Sequence, residues 1–290
     1  MIGSRWRTVQ PGAGPRTSMN NLIRIQALTE DELADLAYAK SLLENPGLAA
    51  RLANLMGSPI EKGFKLLPKG WVATVQKASH AALSKALHVA VLTIDRKSRP
   101  RAANLMHKIL AGASGGIGGA FGLAALPLEL PISTTIMLRS IADIARSEGH
   151  ELDSWDTRIS CLEVFALGGR SPQDDAAENA YWIIRATLAK AVSEAAAYLA
   201  QRGVVEEGAP AIMRLIALIA SRFGVVVSEQ VAAKAVPVVG AAAGSVINVL
   251  FIDHFQNMAR GHFIVKRLEA RYGTPTVRNI YDSIRVRIRP

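Results

Sequence analysis

The chain has 290 residues, half of them hydrophobic but only 6% aromatic, with a net charge of +10. That length allows one large domain or two small ones, and the alanine- and glycine-weighted apolar content points to closely packed helices held by aliphatic interdigitation. The basic excess favours an anionic partner, and the lone Cys161 excludes an internal disulfide and a cysteine-built zinc site, which suits a reducing compartment.

The N-terminal MIGSRWRTVQPGAGPRTSMNN carries arginines but no apolar core or cleavage-like site. It reads as a Gly/Pro-rich tail over residues 1–27, not a secretory signal, with Met19 as an alternative start. From Leu28 helical signals begin. Thr29 ahead of Glu30, Asp31 and Glu32 is an N-cap followed by acids at the positive end of the helix dipole, and the helix should run to about Glu44. Asn45-Pro46-Gly47 breaks it. LAARLANLMG makes a short amphipathic helix ending at Gly57, and GFKLLPKG within 62–69 reads as a loop exposing Phe64.

A helix follows from about Trp71 to Ile94, with Val72, Val75, Ala82, Leu83, Ala86, Leu87, Ala90 and Val91 near helical spacing. After the basic linker 95–101, a helix from Ala102 to about Ala111 leads into a glycine run, Gly112–Gly122. Gly115, Gly119 and Gly122 share a face there, and close packing must offset about 1 kcal/mol of helix propensity per glycine. Pro127 and Pro131 stop or kink this segment; a new helix should start near Ile132 and run to Ser147, capped by Gly149.

Beyond it, a helix opens near Asp153 and ends at Gly168-Gly169. Ser171-Pro172 with acids behind starts another, reaching about Gln201. A turn over 203–210 precedes a helix Ala211–Phe223, then Gly224, then a helix Val225–Ala235. Pro237 introduces the last long helix, to about Tyr272, with Gly240 and Gly244 as close-packing positions. Residues 277–290 form a basic C-terminal tail, as a short helix or a terminal strand. No alternating run bounded by turn pairs occurs, so the class is all-α: one multi-helix domain over 28–276 with two Gly/Ala-rich central helical segments.

Those segments are the uncharged Ile109–Leu128, 20 residues, and Ala235–Ile252, 18 residues. Each is long enough to approach a bilayer span, but their Gly, Ala, Pro, Ser and Asn content favours a buried helical pair. Integral membrane insertion therefore ranks below peripheral contact. The basic groups lack interleaved aromatics, and no nucleic-acid-binding signature is present, so a membrane surface ranks above nucleic acid; a merely solvated basic face is the plain alternative.

The candidate polar core is Glu129, Arg139 and Asn248. Glu129 lies between Leu128, Leu130 and two prolines, and a buried carboxylate must be paired, protonated or wet; a cap on the helix beginning near Ile132 is its simplest role. Arg139 and Asp143 are spaced to pair along one face. Asn248 shares a face with Ile252, Phe255 and Ala259, so its amide should meet other helices, while Asp253, Asn257 and Arg260 take the wetter face. The six histidines form no H-E-x-x-H or i,i+4 pair, so no metal is indicated, and neither a phosphate-binding P-loop nor G-x-S-x-G occurs. No cofactor is implied.

Four stretches resemble the EcsC family, bacterial proteins named for a gene product encoded beside an ABC transporter. They are ENPGLAARLANLMGSPIEKGFKLLP, GASGGIGGAFGLAALPLELPISTTIMLRSIADIARSEG, LEVFALGG and VPVVGAAAGSVINVLFIDHFQNMARGHFIVKRLEARYG, together spanning about Glu44 to Gly273. Glu129 stands where the family usually has aspartate, and Glu148 where tyrosine commonly precedes the glycine. The resemblance implies a link to transporter operons and secretion; some members carry a peptidase label without an evident catalytic set. The expected function is a non-enzymatic accessory protein, cytoplasmic and peripheral to the inner face of the membrane, binding lipid, an anionic surface, an ABC transporter or another membrane protein. The alternative is a peptidase- or lipase-like hydrolase using Glu129 as acid or base.

Overall fold

The computed structural model describes residues 28–44, 47–57, 59–93, 122–169, 180–203, 205–206, 208–236 and 240–284. Among them are ten helices and no strand: α1 Glu30–Leu43, α2 Leu48–Met56, α3 Glu61–Leu66, α4 Trp71–Thr93, α5 Gly122–Ser147, α6 Trp155–Leu167, α7 Ala180–Arg202, α8 Pro210–Ala235, α9 Gly240–Tyr272 and α10 Thr274–Ser283. The all-α expectation is met.

Local chemistry sets several boundaries as expected. The Thr29 hydroxyl accepts from the Glu32 amide while the Glu32 carboxylate accepts from the Thr29 amide, a reciprocal capping box that opens α1. Gly149 closes α5 at φ 85°, a left-handed position that lets the His150 amide reach back to the Ala145 carbonyl.

Four boundaries differ, and in each case packing overrides a local breaker. The 62–69 segment is not a loop: Glu61–Leu66 is helical, and its Gly63 lies so close to α8 that a Cβ there would sit 2.1 Å from the Ala232 carbonyl oxygen. Phe64 is half-buried, stacked on Trp71 at 5.5 Å. Helix α5 runs unbroken through Pro127 and Pro131, because Leu126, Leu130, Thr134, Leu138, Ile141 and Ala145 make a continuous buried stripe whose burial outweighs the amide bonds the prolines cannot donate. Gly224 likewise lies inside a single helix α8. The supposed tail is structured as far as Ile284: α10 buries Val277, Ile280 and Tyr281, and buried Lys40 donates to the carbonyls of Tyr281 and Ile284, both at 2.8 Å. A cation there satisfies carbonyls at the negative end of the helix.

The centre is α6. Every residue from Ile159 to Leu167 is buried, so beyond its first turn this helix has no solvent face, and α4, α5, α7, α8 and α9 pack around it. The centre is also more aromatic than composition suggested. Phe165 of α6, Phe223 of α8, and Phe251 and Phe255 of α9 interlock, with ring centroids 5.2–6.3 Å apart. At the C-terminus of α6, Gly168 and Gly169 do more than end a helix. A Cβ on Gly169 would lie 2.2 Å from the Arg222 carbonyl oxygen, so only glycine allows α8 this near.

Helices α5 and α9 run parallel. Gln256 bonds Ser140 at 2.8 Å, and further along both chains His150 bonds the Phe263 carbonyl at 2.9 Å. Their N-terminal thirds therefore lie at the same end of the bundle, with the C-terminus of α8, where Gln230 meets Asn248.

Candidate functional site

The three residues proposed as a polar core do not form one. Glu129 and Arg139 are exposed on α5. Glu129 lies two turns inside an uninterrupted helix and caps nothing; its nearest electrostatic neighbour of note is Lys234, which burial makes less basic and which the Glu129 carboxylate partly restores. Arg139 does not pair with Asp143, which instead bonds Arg146 at 3.0 Å. Asn248 does face another helix, half-buried, and accepts from the Gln230 amide at 3.0 Å. Of the glycines assigned to close packing, Gly115 and Gly119 lie outside the described residues. Gly122 and Gly240 are the first residues of α5 and α9, and Gly244 falls in the second turn of α9.

A different polar cluster is built where α6, α7 and α9 meet. Each helix contributes residues three or four apart, which puts them on one face: Asp156, Ser160 and Glu163 from α6; Tyr181 and Arg185 from α7; His262, Lys266 and Glu269 from α9. Arg185 grips Glu269 with two parallel bonds of 3.0 and 2.9 Å and donates a third to the Tyr181 hydroxyl at 3.3 Å. With its oxygen occupied by Arg185, Tyr181 has its own proton free for His262 Nδ1, 3.1 Å away. That assignment leaves the His262 proton on Nε2, directed toward Glu163 Oε2 at 3.6 Å, beyond hydrogen-bonding distance. Lys266 donates to Asp156 at 2.8 Å and to Ser160 at 2.7 Å.

The protonation states follow from burial. His262, with no exposed surface, is held well below the usual imidazole range, first by burial and then by the positive charges of Arg185 and Lys266. Burial also raises the Tyr181 phenol and the Glu163 carboxyl, the latter against the lowering pull of Arg185 and Lys266. At neutral pH the cluster thus contains two formed ion pairs, a neutral Tyr–His relay, and Glu163 as the acid left over. Cys161, next to Ser160 on α6 and fully buried, has its thiol pushed up to about 12 by burial, so it is a packing residue and not a nucleophile.

Glu163 also lines an open groove of ≈ 880 Å³ bordered by Trp155, Trp182, Lys266 and a row of small residues on α7. Among the described residues, no group of three or more His, Cys, Asp or Glu side chains is placed to hold a metal ion. His254 and Asp253 do not act together: His254 donates from Nε2 to the Gly168 carbonyl at 3.0 Å, and Asp253 pairs with Arg51 at 2.6 Å.

The sequence did hold a signal for this cluster. Glu163 is the one charge in the run ISCLEVFALGG, and its partners recur at helical spacing in otherwise apolar helices. It was missed because adjacency of α6, α7 and α9 is a tertiary fact.

The EcsC protein family matches residues 37–268, most of the chain and, Glu269 apart, every residue of this cluster. The chain belongs to the EcsC protein family. No curated protein and no solved structure is significantly similar to it. Both the family resemblance and the all-α class read from the sequence therefore stand. Within this EcsC chain, one described helix, α8, is long and apolar enough by length and composition to cross a membrane, yet half of its most apolar stretch is buried. A central helix of a water-exposed body has the same properties, and α8 packs on α2, α3, α4, α6 and α7. It is neither of the two uncharged stretches singled out from the sequence.

Proposed function

We propose that this EcsC-family protein is a non-enzymatic accessory protein that seats peripherally on an anionic membrane surface from the cytoplasmic side. The observation that carries the proposal is the apolar end of the bundle where α5 and α9 begin. Leu128 and Ile132 of α5 are 75% and 52% exposed, and Val246 and Val249 of α9 are 41% and 43% exposed. Isolated exposed aliphatics are ordinary, but four at one end of two parallel helices form a surface suited to the headgroup–acyl boundary. The net charge of +10 supplies attraction to anionic lipid. The same surface is where a transporter or secretion partner would be met.

The test is co-sedimentation with vesicles. Binding to phosphatidylglycerol-containing vesicles, weaker on pure phosphatidylcholine and weakened by salt, is expected for the wild-type chain. The double substitution Leu128→Glu/Ile132→Glu, at exposed positions, should abolish it without loss of helicity. Equal binding by the double variant, or none by the wild type, refutes the proposal. The hydrolase alternative finds no support in the position of Glu129, an exposed residue among Leu128, Ile132 and prolines.

A further inference from the structure

The groove beside the buried cluster has two distinct parts. One is a trench along α7, where Ala186, Ala189, Ser193, Ala197 and Ala200 are exposed in a row at helical spacing; from first to last they span about 21 Å. Small side chains there leave room that larger ones would fill. The other part is polar, with Glu163, Arg185 and Lys266 lying in the groove wall.

A row of alanines is not in itself a site; what makes this one is Glu163. Its residue is only 5% exposed, it lines the groove, and no hydrogen bond reaches its carboxyl among the described residues. Its nearest polar neighbour, His262 Nε2 at 3.6 Å, also lacks a partner. Trp182, on the same wall, has a buried indole N–H without an acceptor. Buried polar groups are nearly always satisfied, and an ionised Glu163 would be the acceptor that the His262 Nε2–H beside it lacks, so what the groove is missing is a cation that lets Glu163 carry its charge.

The charge balance says what that is. Around the polar part, inside the exposed Asp153 of its rim, the carboxyls of Asp156, Glu163 and Glu269 lie with two cations, and both are engaged: Arg185 by Glu269, Lys266 by Asp156. Arg278, the other cation on the lining, has Asp282 at 3.9 Å. His262 adds no charge, being held neutral. With Glu163 ionised, the site would be one cation short. An anionic head would find both nearby cations already taken. An ammonium would give Glu163 the charged donor it lacks and let it ionise at no net cost in buried charge.

We propose that the groove binds a primary-amine amphiphile, with the ammonium on Glu163 and the alkyl chain along the α7 alanine trench. This site is separate from the membrane-contacting end, so it can be tested in vesicle-free solution whether or not the membrane proposal holds. The probes are octylamine, octanoate and 1-octanol, each below its aggregation concentration, titrated calorimetrically into the full chain at neutral pH. Octylamine should bind saturably and at least ten-fold more tightly than either other probe, and dodecylamine more tightly still. Glu163→Gln should weaken octylamine at least ten-fold and leave 1-octanol unaffected. If that variant loses its helical circular dichroism, Ala189→Trp at an exposed trench position decides instead, and it should weaken octylamine comparably. Octanoate binding as well as octylamine, no saturable octylamine binding, or undiminished octylamine binding by a folded variant overturns the proposal.

Discussion

The bidentate pair Arg185–Glu269 links α7 to α9, and its loss should be the most costly single polar change in the molecule. The side chains are 19% and 8% exposed, so both charges are largely out of water. Arg185 also lies over Trp182, 5.1 Å from the ring centroid, and over Tyr181 at 5.4 Å, which fixes the guanidinium in place. Glu269→Gln keeps the shape and one acceptor but leaves Arg185 as an uncompensated, mostly buried cation. Breaking a buried pair in this way costs about 3–5 kcal/mol. The groove admits some water to Arg185, so the lower end applies, about 3 kcal/mol. For a chain of this size that lowers Tm by roughly 5 °C. The double variant Arg185→Met/Glu269→Leu should recover most of the loss, since it removes both charges and retains apolar volume. Thermal and urea unfolding followed by circular dichroism would measure all three. A loss under about 1 kcal/mol for Glu269→Gln would show that the pair is effectively solvated and refute the reasoning, and so would a double variant less stable than the single.

Two glycine substitutions should have opposite signs. Gly63→Ala places a methyl 2.1 Å from the Ala232 carbonyl oxygen, a backbone contact that cannot rotate away, and should destabilise by about 1–3 kcal/mol. Gly224→Ala, inside α8 with only the Ser79 hydroxyl at 3.7 Å, should stabilise by about 0.5–1 kcal/mol through helix propensity; the same urea titrations check both. Acid stability should report Glu32, whose carboxyl is lowered to about 2, chiefly by the Thr29 amide and then by the Tyr272 hydroxyl. Because the folded value lies below the ordinary 4.5, the stabilisation is complete above that value and is lost as pH falls toward 2. Glu32→Gln should therefore be less stable than wild type at pH 7 and converge with it near pH 2; a constant gap across Tm-versus-pH curves would contradict this.

How much could be read from the chain alone depended on the range of the forces involved. The all-α class, the N-cap at Thr29, the stop at Gly57, the cap at Gly149 and the family were legible, because each rests on periodicity, a few adjacent residues or a motif string. Glu129 was misjudged because its leucine and proline neighbours in sequence suggested burial. Whether a helical position faces inward is decided by the partner helix, and the α5 stripe of Leu126, Leu130 and Thr134 turns Glu129 outward.

The sequence by itself determined the helical composition, most helix ends and the membership in a family, since these follow from propensity, capping and spacing within a few turns. Only the tertiary structure decided that two prolines and Gly224 would be carried inside continuous helices, that α6 would be the enclosed centre, and that Glu163, Arg185 and His262 would meet. Those outcomes depend on burial shared between helices whose contacting residues are 81 to 110 positions apart, and the free energy of such contacts exceeds the local preferences they override.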